Sequence, residues 1–442
     1  MNKVAAAVVF ALAGFAPVGA QSPDQTATIS LTLEDAIRRG TESSHRVEEL
    51  TARGAAADAV AEQRRAVQLP QLSAEAGYMR TNHVDEFGVP IVGNEIKPIY
   101  PDVPDNYRTG LRAQWPLYTG GRAQALERAA LSEATAMSKD LAALRTDLRL
   151  QITRAYWGLI TATESLRVVE DTLTRTRAHL QDMRNRLAAG LVPPNEVLTV
   201  EAQESQQRIL RIRAQVTRDV TEAELVRLIG ASPGSRIRPV SSLDPPTAAA
   251  SVLEALVERA RAQRSDRAAI LERLVAADER QRAAAAGGGP TVALTGGVDY
   301  SRPNARIFPR AAEWKPSWDA SINVSWSLID GGRTRAEIAA AAASRRALTA
   351  RLDEFDSVLA VELRSRMSEL QASIAAIAAS EDSVRAAAEA RRVVGERFEA
   401  GVATSTEVLD AEGDVLGAEL SRTQAVANAR IAEAQLVRAL GE

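Results

Sequence analysis

The sequence predicts a mainly α-helical, internally duplicated chain that also contributes strands to a membrane β-barrel. Residues 317–328 alternate apolar and polar side chains with a period of two, which is typical of a strand with two unlike faces. About a hundred residues rich in Ala, Arg, Glu and Leu follow, with almost no Gly or Pro, and this composition predicts long helices. Both features also occur earlier in the chain.

The N-terminal segment is typical of a secretory signal peptide. Lys3 precedes an apolar run from Val4 to Ala16, and small residues up to Ala20 provide a cleavage site. No later segment approaches about 18 consecutive uncharged apolar residues. We therefore expect residues 1–20 to be removed on export, and we expect no helical membrane span in the mature chain.

Composition argues against several classes of protein. The 54 Lys and Arg residues nearly balance the 57 Asp and Glu residues, so the chain lacks the positive charge of a nucleic-acid-binding protein. Cysteine is absent, which excludes disulfides, thiolate metal sites, cysteine nucleophiles and a lipid anchor on cysteine. The three histidines, His45, His83 and His179, share no spacing typical of metal ligands. We expect no metal, no cofactor and no enzymatic activity.

The chain repeats itself with a shift of 211 residues. Without gaps, AQWPLYTGGR (113–122) aligns with VSWSLIDGGR (324–333), and residues 184–202 align with residues 395–413. Nearer the N-terminus the shift is 220, and the difference of nine residues falls in segments rich in Pro, Asn and Gly, which are expected to be loops. The expected organisation is a first repeat at residues 21–230, a linker at 231–250 and a second repeat at 251–442.

Each repeat is predicted to run helix, strand, loop, strand, long helix, tight turn, helix. Period-two alternation places the strands at about residues 70–80, 107–118, 291–300 and 318–328. The first long helix, from Gln124 to Ala189, would extend for about 100 Å. The two long helices end at Gly190 and Gly401, where the tight turns begin.

Apolar and small residues of the first long helix follow a coiled-coil heptad with a four-residue insertion between Leu148 and Ile152. The heptad positions are Leu141, Leu144, Leu148, Ile152, Ala155, Leu159, Ala162, Leu166, Val169, Leu173, Thr176, Leu180, Met183 and Leu187. The second long helix keeps the frame but breaks it at Arg366 and Arg391. The helices alone would also fit a fibrous coiled coil.

The strands favour a barrel over a fibre. Four strands cannot close a barrel, because the smallest membrane barrels need about eight, so several copies of the chain must pool their strands. In the fourth strand Trp318 and Trp326 lie on the apolar face, which suits lipid. Asn323 and Ser325 lie on the polar face, which suits a water-filled lumen. A soluble β-sandwich would need many more strands.

Several motifs at their spacing resemble a known family. They are LTLEDAIRRG near the N-terminus, LPQLSAEAGY at the first strand, the pair WPLYTGGR and WSLIDGGR, and the pair LAAGLVPPNEVL and EAGVATSTEVLDAE. From about Leu31 to Leu440 the chain resembles the TolC-like outer membrane efflux proteins.

This resemblance implies a homotrimer in the outer membrane of a Gram-negative bacterium. Four strands from each chain would form a twelve-stranded barrel, continued by an α-helical coiled-coil tunnel across the periplasm. The assembly would be the exit duct of a tripartite efflux or type I secretion system and would passively export small molecules or proteins. Its partners would be a periplasmic adaptor (membrane fusion) protein, an inner-membrane pump of the RND, ABC or MFS type, and outer-membrane lipid, but no nucleic acid. The sequence does not identify the cargo, the pump or the adaptor.

Two turns are the candidate docking sites. Gly190 with Leu191, and Gly401 with Val402, would contact the adaptor if the resemblance holds. The same glycines also have a local role, because a glycine at this position ends a helix in a left-handed turn.

Two carboxylates after the second turn are candidates for the periplasmic aperture. Glu407 and Asp410 lie on one side of the last helix, and acidic residues at the matching family positions line the closed entrance. The alternative is that they complement the helix dipole. In some members an arginine at the position of Ala403 and a tyrosine at the position of Phe398 latch the entrance shut. This chain lacks both side chains, so the sequence does not say which residues hold its entrance closed.

The alternative function is a periplasmic coiled-coil adaptor or structural protein. Such a protein would share the heptads but not the four strands, and it would leave membranes without detergent.

Overall fold

The computed structural model describes residues 28–93, 96–246 and 252–442. The signal peptide expected at residues 1–20 lies outside this part of the chain. In chain order the elements are β1 (Thr28–Leu31), α1 (Leu33–Glu42), α2 (His45–Ala66), β2 (Gln71–Arg80), β3 (Phe87–Pro90), β4 (Ile96–Tyr100), β5 (Asp105–Tyr118), α3 (Arg122–Ala188), α4 (Pro194–Leu228), β6 (Arg236–Pro239), α5 (Leu253–Gln263), α6 (Ser265–Ala286), β7 (Thr291–Arg302), β8 (Lys315–Ser325), α7 (Arg333–Glu399) and α8 (Ser405–Leu440). None of the helices described is both long and apolar enough to cross a membrane.

Two very long helices dominate the structure. Helices α3 and α7 each run for 67 residues, which corresponds to about 100 Å at the usual helical rise. Each follows a glycine pair whose second member, Gly121 or Gly332, has a φ of 85° or 87°, a left-handed conformation that favours glycine. These glycines let the chain pass from a strand into a long helix within a few residues.

The other helices pack beside α3 and α7 in two sets. In one half of the long helices the neighbours run α2–α3–α6–α7, and in the other half they run α4–α3–α8–α7. Ten of the fourteen heptad positions predicted in α3 are buried. Helix α7, at the edge of both sets, buries only Leu359, Leu363 and Ile377 in the described part of one chain. One long face of α7 is therefore left without a partner.

Four strands form an antiparallel sheet in the order β2-β5-β7-β8. The register gathers apolar side chains on one face, including Leu72, Leu111, Trp115, Leu294, Val298, Trp318, Ile322 and Val324. The opposite face carries Ser73, Glu75, Arg108, Arg112, Thr295, Asp299, Asp319, Ser321 and Asn323. The apolar face is open to solvent in the single chain, with Trp318 77% and Val324 68% exposed.

The fourth strand ends earlier than predicted. It spans Lys315–Ser325, so Trp326 lies beyond it although the sequence places this residue inside a strand at 318–328. Ser325 pairs with Thr291, the first residue of β7, and the residue before it is Pro290, which has no N–H to extend the ladder. The Trp326 indole N–H instead donates to the Gly288 carbonyl at 3.0 Å.

Several short elements of the structure were not predicted from the sequence. Strands β1 and β6 form a parallel pair, although β6 lies in the segment expected to be a linker at 231–250. Strands β3 and β4 form a hairpin inside an expected loop. The single helix expected at the start of each repeat is divided, into α1 and α2 at Ser43 and Ser44 and into α5 and α6 at Arg264. Strands of four or five residues are too short to show a period.

Candidate functional site: the paired helical tips

Both long helices end in the same hydrogen-bonded turn. In the first turn the Leu191 N–H donates to the Arg186 carbonyl at 2.8 Å, and in the second the Val402 N–H donates to the Arg397 carbonyl at 2.9 Å. The glycine inside each turn has a positive φ, 73° at Gly190 and 75° at Gly401. This pattern satisfies the last helical carbonyls and requires a left-handed residue.

The tips of these turns are open to solvent. Leu191 is 73% exposed and Val402 is 65% exposed, although both are large apolar side chains. A Cβ added at Gly190 or Gly401 would meet no atom within 4 Å. The predicted docking residues therefore form two apolar knobs with free space around them.

The two tips lie at the same end of the helices. One apolar cluster joins residues from both hairpins, and it consists of Leu180, Met183, Val197, Val200 and Leu409, with Leu187, Val192 and Phe398 packed against it. Val192 follows the first turn and Phe398 precedes the second. The turns are therefore held together by packing, as well as by their own hydrogen bonds.

The predicted aperture carboxylates have different environments. Glu407 completes a capping box, in which its side chain accepts from the Thr404 N–H at 3.1 Å and its own N–H donates to the Thr404 hydroxyl at 3.3 Å. Its carboxylate also lies 3.7 Å from the Arg397 guanidinium. Asp410 is exposed one turn further along α8. Glu407 thus has a local role, whereas Asp410 projects from the helix.

Sequence reasoning missed a set of polar contacts between the hairpins. His179 Nε2 lies 2.8 Å from the Ser405 hydroxyl, and the His179 ring meets the Phe398 ring edge-on at 5.3 Å between centroids. The Arg186 guanidinium lies over the same Phe398 ring, 4.7 Å from its centroid. A histidine of α3 therefore touches both α7 and α8.

A second contact between the hairpins is ionic. The Glu412 carboxylate accepts from Arg175 Nε of α3 at 2.9 Å and lies 3.7 Å from the Arg391 guanidinium of α7. Arg391 is the residue that interrupts the predicted heptad of α7. The other interruption, Arg366, donates to the Gln435 side chain of α8 at 3.1 Å. Each arginine therefore occupies a heptad position where an apolar residue is expected, and makes a polar contact with α8 there.

The environment of His179 shifts its titration. Its ring is half-buried between the helices, and this burial lowers the pKa of His179 below its usual value. Asp182 and Glu412 raise this pKa and the neighbouring Arg186 lowers it, but burial is the largest single cause and the net shift is downward. The neutral imidazole is therefore the form that suits the packed tip.

The sheet provides a second polar region. Arg108 donates to the nearly buried Asp299 carboxylate, with Nη2 at 2.9 Å, and Arg112 donates to Glu75 at 3.1 Å. Arg306, in the loop between β7 and β8, reaches Asp319 at 2.7 Å. These ion pairs lie on the polar face of the sheet. Among the residues described, no group of three or more His, Asp or Glu side chains is arranged to hold a metal ion.

Comparisons with known proteins agree with this architecture. The family model described as "Outer membrane efflux protein" matches residues 36–231 and 256–442. The outer membrane protein OprJ of Pseudomonas aeruginosa is 26% identical over 354 residues, which cover 77% of this chain and 71% of OprJ. The outer membrane protein TolC of Vibrio cholerae is 27% identical over 401 residues, which cover 88% of this chain and 85% of TolC.

Solved structures show the same fold. The crystal structure of the outer membrane protein VceC from Vibrio cholerae superposes with a TM-score of 0.74 at 22% identity, covering 92% of this chain and 96% of VceC. The family match spans most of the chain, including both tips and both long helices. The chain therefore belongs to the outer membrane efflux protein family, whose members are outer-membrane channels of Gram-negative bacteria and not enzymes.

Proposed function

We propose that the chain is the outer-membrane exit duct of a tripartite efflux or type I secretion system, through which small molecules or proteins pass passively. The observation that carries this proposal is the sheet, which has one apolar and one polar face and continues into α3 and α7. Such strands fit between lipid and water, and two helices of about 100 Å extend the wall far beyond a bilayer.

We infer that three copies assemble into one duct. The edge strands β2 and β8 each pair on one side in the chain described, and an open edge must be covered or paired. Four strands per chain give twelve in a trimer, which exceeds the minimum of about eight for a membrane barrel. Helix α4 also carries an apolar stripe, each member at least 50% exposed, made of Leu198, Ile209, Ile212, Val216 and Val220. A neighbouring α7 would cover this stripe.

We also infer that each chain arose by duplication of one helix-and-strand unit. Helices α3 and α7 have equal lengths of 67 residues, and both end in turns with the same hydrogen bonds. Each unit would supply two strands to the barrel and one hairpin to the tunnel.

The tips are the proposed docking sites for a periplasmic adaptor, which would connect the duct to an inner-membrane pump. Leu191 and Val402 would be the contact residues, because they are exposed apolar side chains at the ends of rigid turns. A photo-cross-linker at Val402 should capture one periplasmic adaptor in intact cells. If it captures only copies of the chain itself, the docking role fails.

Recording from purified protein in planar lipid bilayers tests the channel. We expect discrete conductance steps and a protein that leaves membranes only with detergent. A periplasmic adaptor or structural protein would give no conductance and would be released by alkaline washing. Either of these results would contradict the proposed duct.

Glu407 and Asp410 are proposed to line the periplasmic aperture, where threefold symmetry would stack two carboxylate rings that favour cations. The double variant Glu407→Gln, Asp410→Asn should reduce cation selectivity, measured as the reversal potential in a salt gradient. Gln can still complete the capping box, so the start of α8 should survive. Glu48→Gln, on exposed α2, is the control. Unchanged reversal potentials in the double variant would remove the two residues from the aperture.

A further inference from the structure

Four polar side chains form a stripe on α3 near the tips. Arg175, His179, Asp182 and Arg186 recur at steps of four, three and four, each one residue before a heptad position. The heptad residues Leu180 and Met183 pack in an apolar cluster with α4 and with Leu409 of α8. Beside them Arg175, His179 and Arg186 contact α7 or α8. The stripe therefore lies between the two hairpins.

We propose that this stripe fastens hairpin α7–α8 to hairpin α3–α4 at the periplasmic tip, and that protonation of His179 loosens the fastening. The proposal rests on the proposed channel function, in which separation of the hairpins widens the entrance. It assigns the closing contacts to residues other than position 403, where Ala403 offers no polar side chain.

Three contacts of the stripe cross between the hairpins. Arg175 donates to Glu412, His179 exchanges a hydrogen bond with Ser405, and Arg186 covers the ring of Phe398. Ser405 is only 2% exposed, so its hydroxyl has little access to bulk water. Loss of the imidazole contact would leave this hydroxyl poorly satisfied, and this makes the contact a strong constraint on the packed tip.

Charge on His179 opposes this packing. A protonated ring would be a cation held partly away from water and close to the positive charge of Arg186, which already covers the Phe398 ring. Asp182 and Glu412 attract such a charge, but Arg175 and Arg391 already share Glu412. Asp182 is likewise paired with Arg186 at 2.7 Å.

Helix α4 does not change this balance. Its acidic residues on the α3 side, Glu201 and Glu204, are paired with Arg184 and Arg177 of α3. Hence the attraction from each packed element is already compensated by an arginine, while the cost of burial remains.

The packed tip should be more stable at neutral pH than at acidic pH. Because the pKa of His179 is lowered in the packed tip, the neutral ring stabilises packing above the ordinary histidine pKa of about 6.5. This stabilisation is lost as the pH falls from about 6.5 toward the lower pKa of the packed state. Acidification should therefore favour separated hairpins, and alkaline conditions should favour the closed tip.

Single-channel recording between about pH 7.5 and pH 5.5 tests the proposal on the full-length reconstituted protein. The open fraction of the unsubstituted channel should rise on acidification, because protonation of His179 weakens the packing of the tip. His179→Gln keeps a hydrogen-bonding side chain but cannot titrate, and its open fraction should stay constant. His45→Gln, at a fully exposed histidine of α2, should behave as the unsubstituted channel does.

Ser405→Ala provides a second variant. It removes the hydroxyl partner and leaves the Thr404 cap, so the channel should fold normally and open more at neutral pH. A His179→Gln channel that still responds to pH as the unsubstituted channel does would overturn the proposal, as would a Ser405→Ala channel with unchanged opening at pH 7.5. By contrast, absence of conductance in the unsubstituted protein at every pH would overturn the proposed channel function itself.

Discussion

At the scale of single residues, the tips depend on glycine because the turn hydrogen bonds demand a left-handed backbone. Gly401 has a φ of 75°, and the space around it is empty. A side chain there costs about 1 kcal/mol through backbone strain alone and causes no clash inside the chain. A substitution at Gly401 should therefore weaken binding of a partner that fits against the turn more than it destabilises the fold.

Gly401→Leu is predicted to leave the trimer folded while abolishing export. The strain is small against the total stability, but the new side chain would fill the surface on which the adaptor would dock. Trimer on native gels and export by intact cells are the measurements. Gly413→Leu, at a glycine with ordinary helical φ inside α8, adds the same side chain and should retain export. Full export by the Gly401 variant would contradict the docking role.

At the scale of elements, prediction succeeds where a period is long. Ten of fourteen heptad positions in α3 are buried, because a periodicity maintained over 67 residues is a strong signal. Strands β1 and β6 carry four residues each and show no period. The contact of His179 with Ser405 joins residues 226 positions apart, so one sequence without the fold offers no way to pair them. The recurrence of polar residues beside the heptad is the available signal, and it does not name their partners.

Strand β8 gives a prediction that distinguishes its two faces. Val324 pairs with Val292 on the apolar face, whereas Ser325 pairs with Thr291 on the polar face. A glutamate at Val324 would place a charge against lipid, which is unfavourable on this face of a membrane strand, so Val324→Glu should block membrane assembly. Ser325→Glu should be tolerated because its side chain would meet water. The measurement is the amount of trimer in outer-membrane fractions, and equal amounts from the two variants would contradict the assignment of faces.

At the scale of the whole molecule, the described part of one chain leaves strand edges and helix faces without a partner. Its sheet has two open edges among the strands described, and its edge helix α7 buries only three residues in the same part of the chain. Helix α4 buries Val197, Val200, Glu204 and Gln207 against the rest of the chain. Its exposed apolar stripe lies on the opposite side of the helix, about half a turn away. Helix α4 thus packs on one side within its own chain and exposes an apolar stripe on the other, which is typical of a helix between two neighbours.

The α4 stripe should form the interface between copies in the half of the tunnel that ends at the tips. Ile212→Glu would bury an unpaired carboxylate between α4 and a neighbouring α7. Such a burial costs several kcal/mol, and it would occur at every interface between copies. We expect this variant to be monomeric in detergent by light scattering, with its helical content preserved, since Ile212 does not contribute to the core of its own chain. Thr217→Glu adds the same charge about 140° around the helix from Ile212, on the exposed surface of α4, and it should remain trimeric. If the Ile212 and Thr217 variants form equally stable trimers, the α4 stripe faces solvent in the assembly. Another face of the chain would then have to close the tunnel.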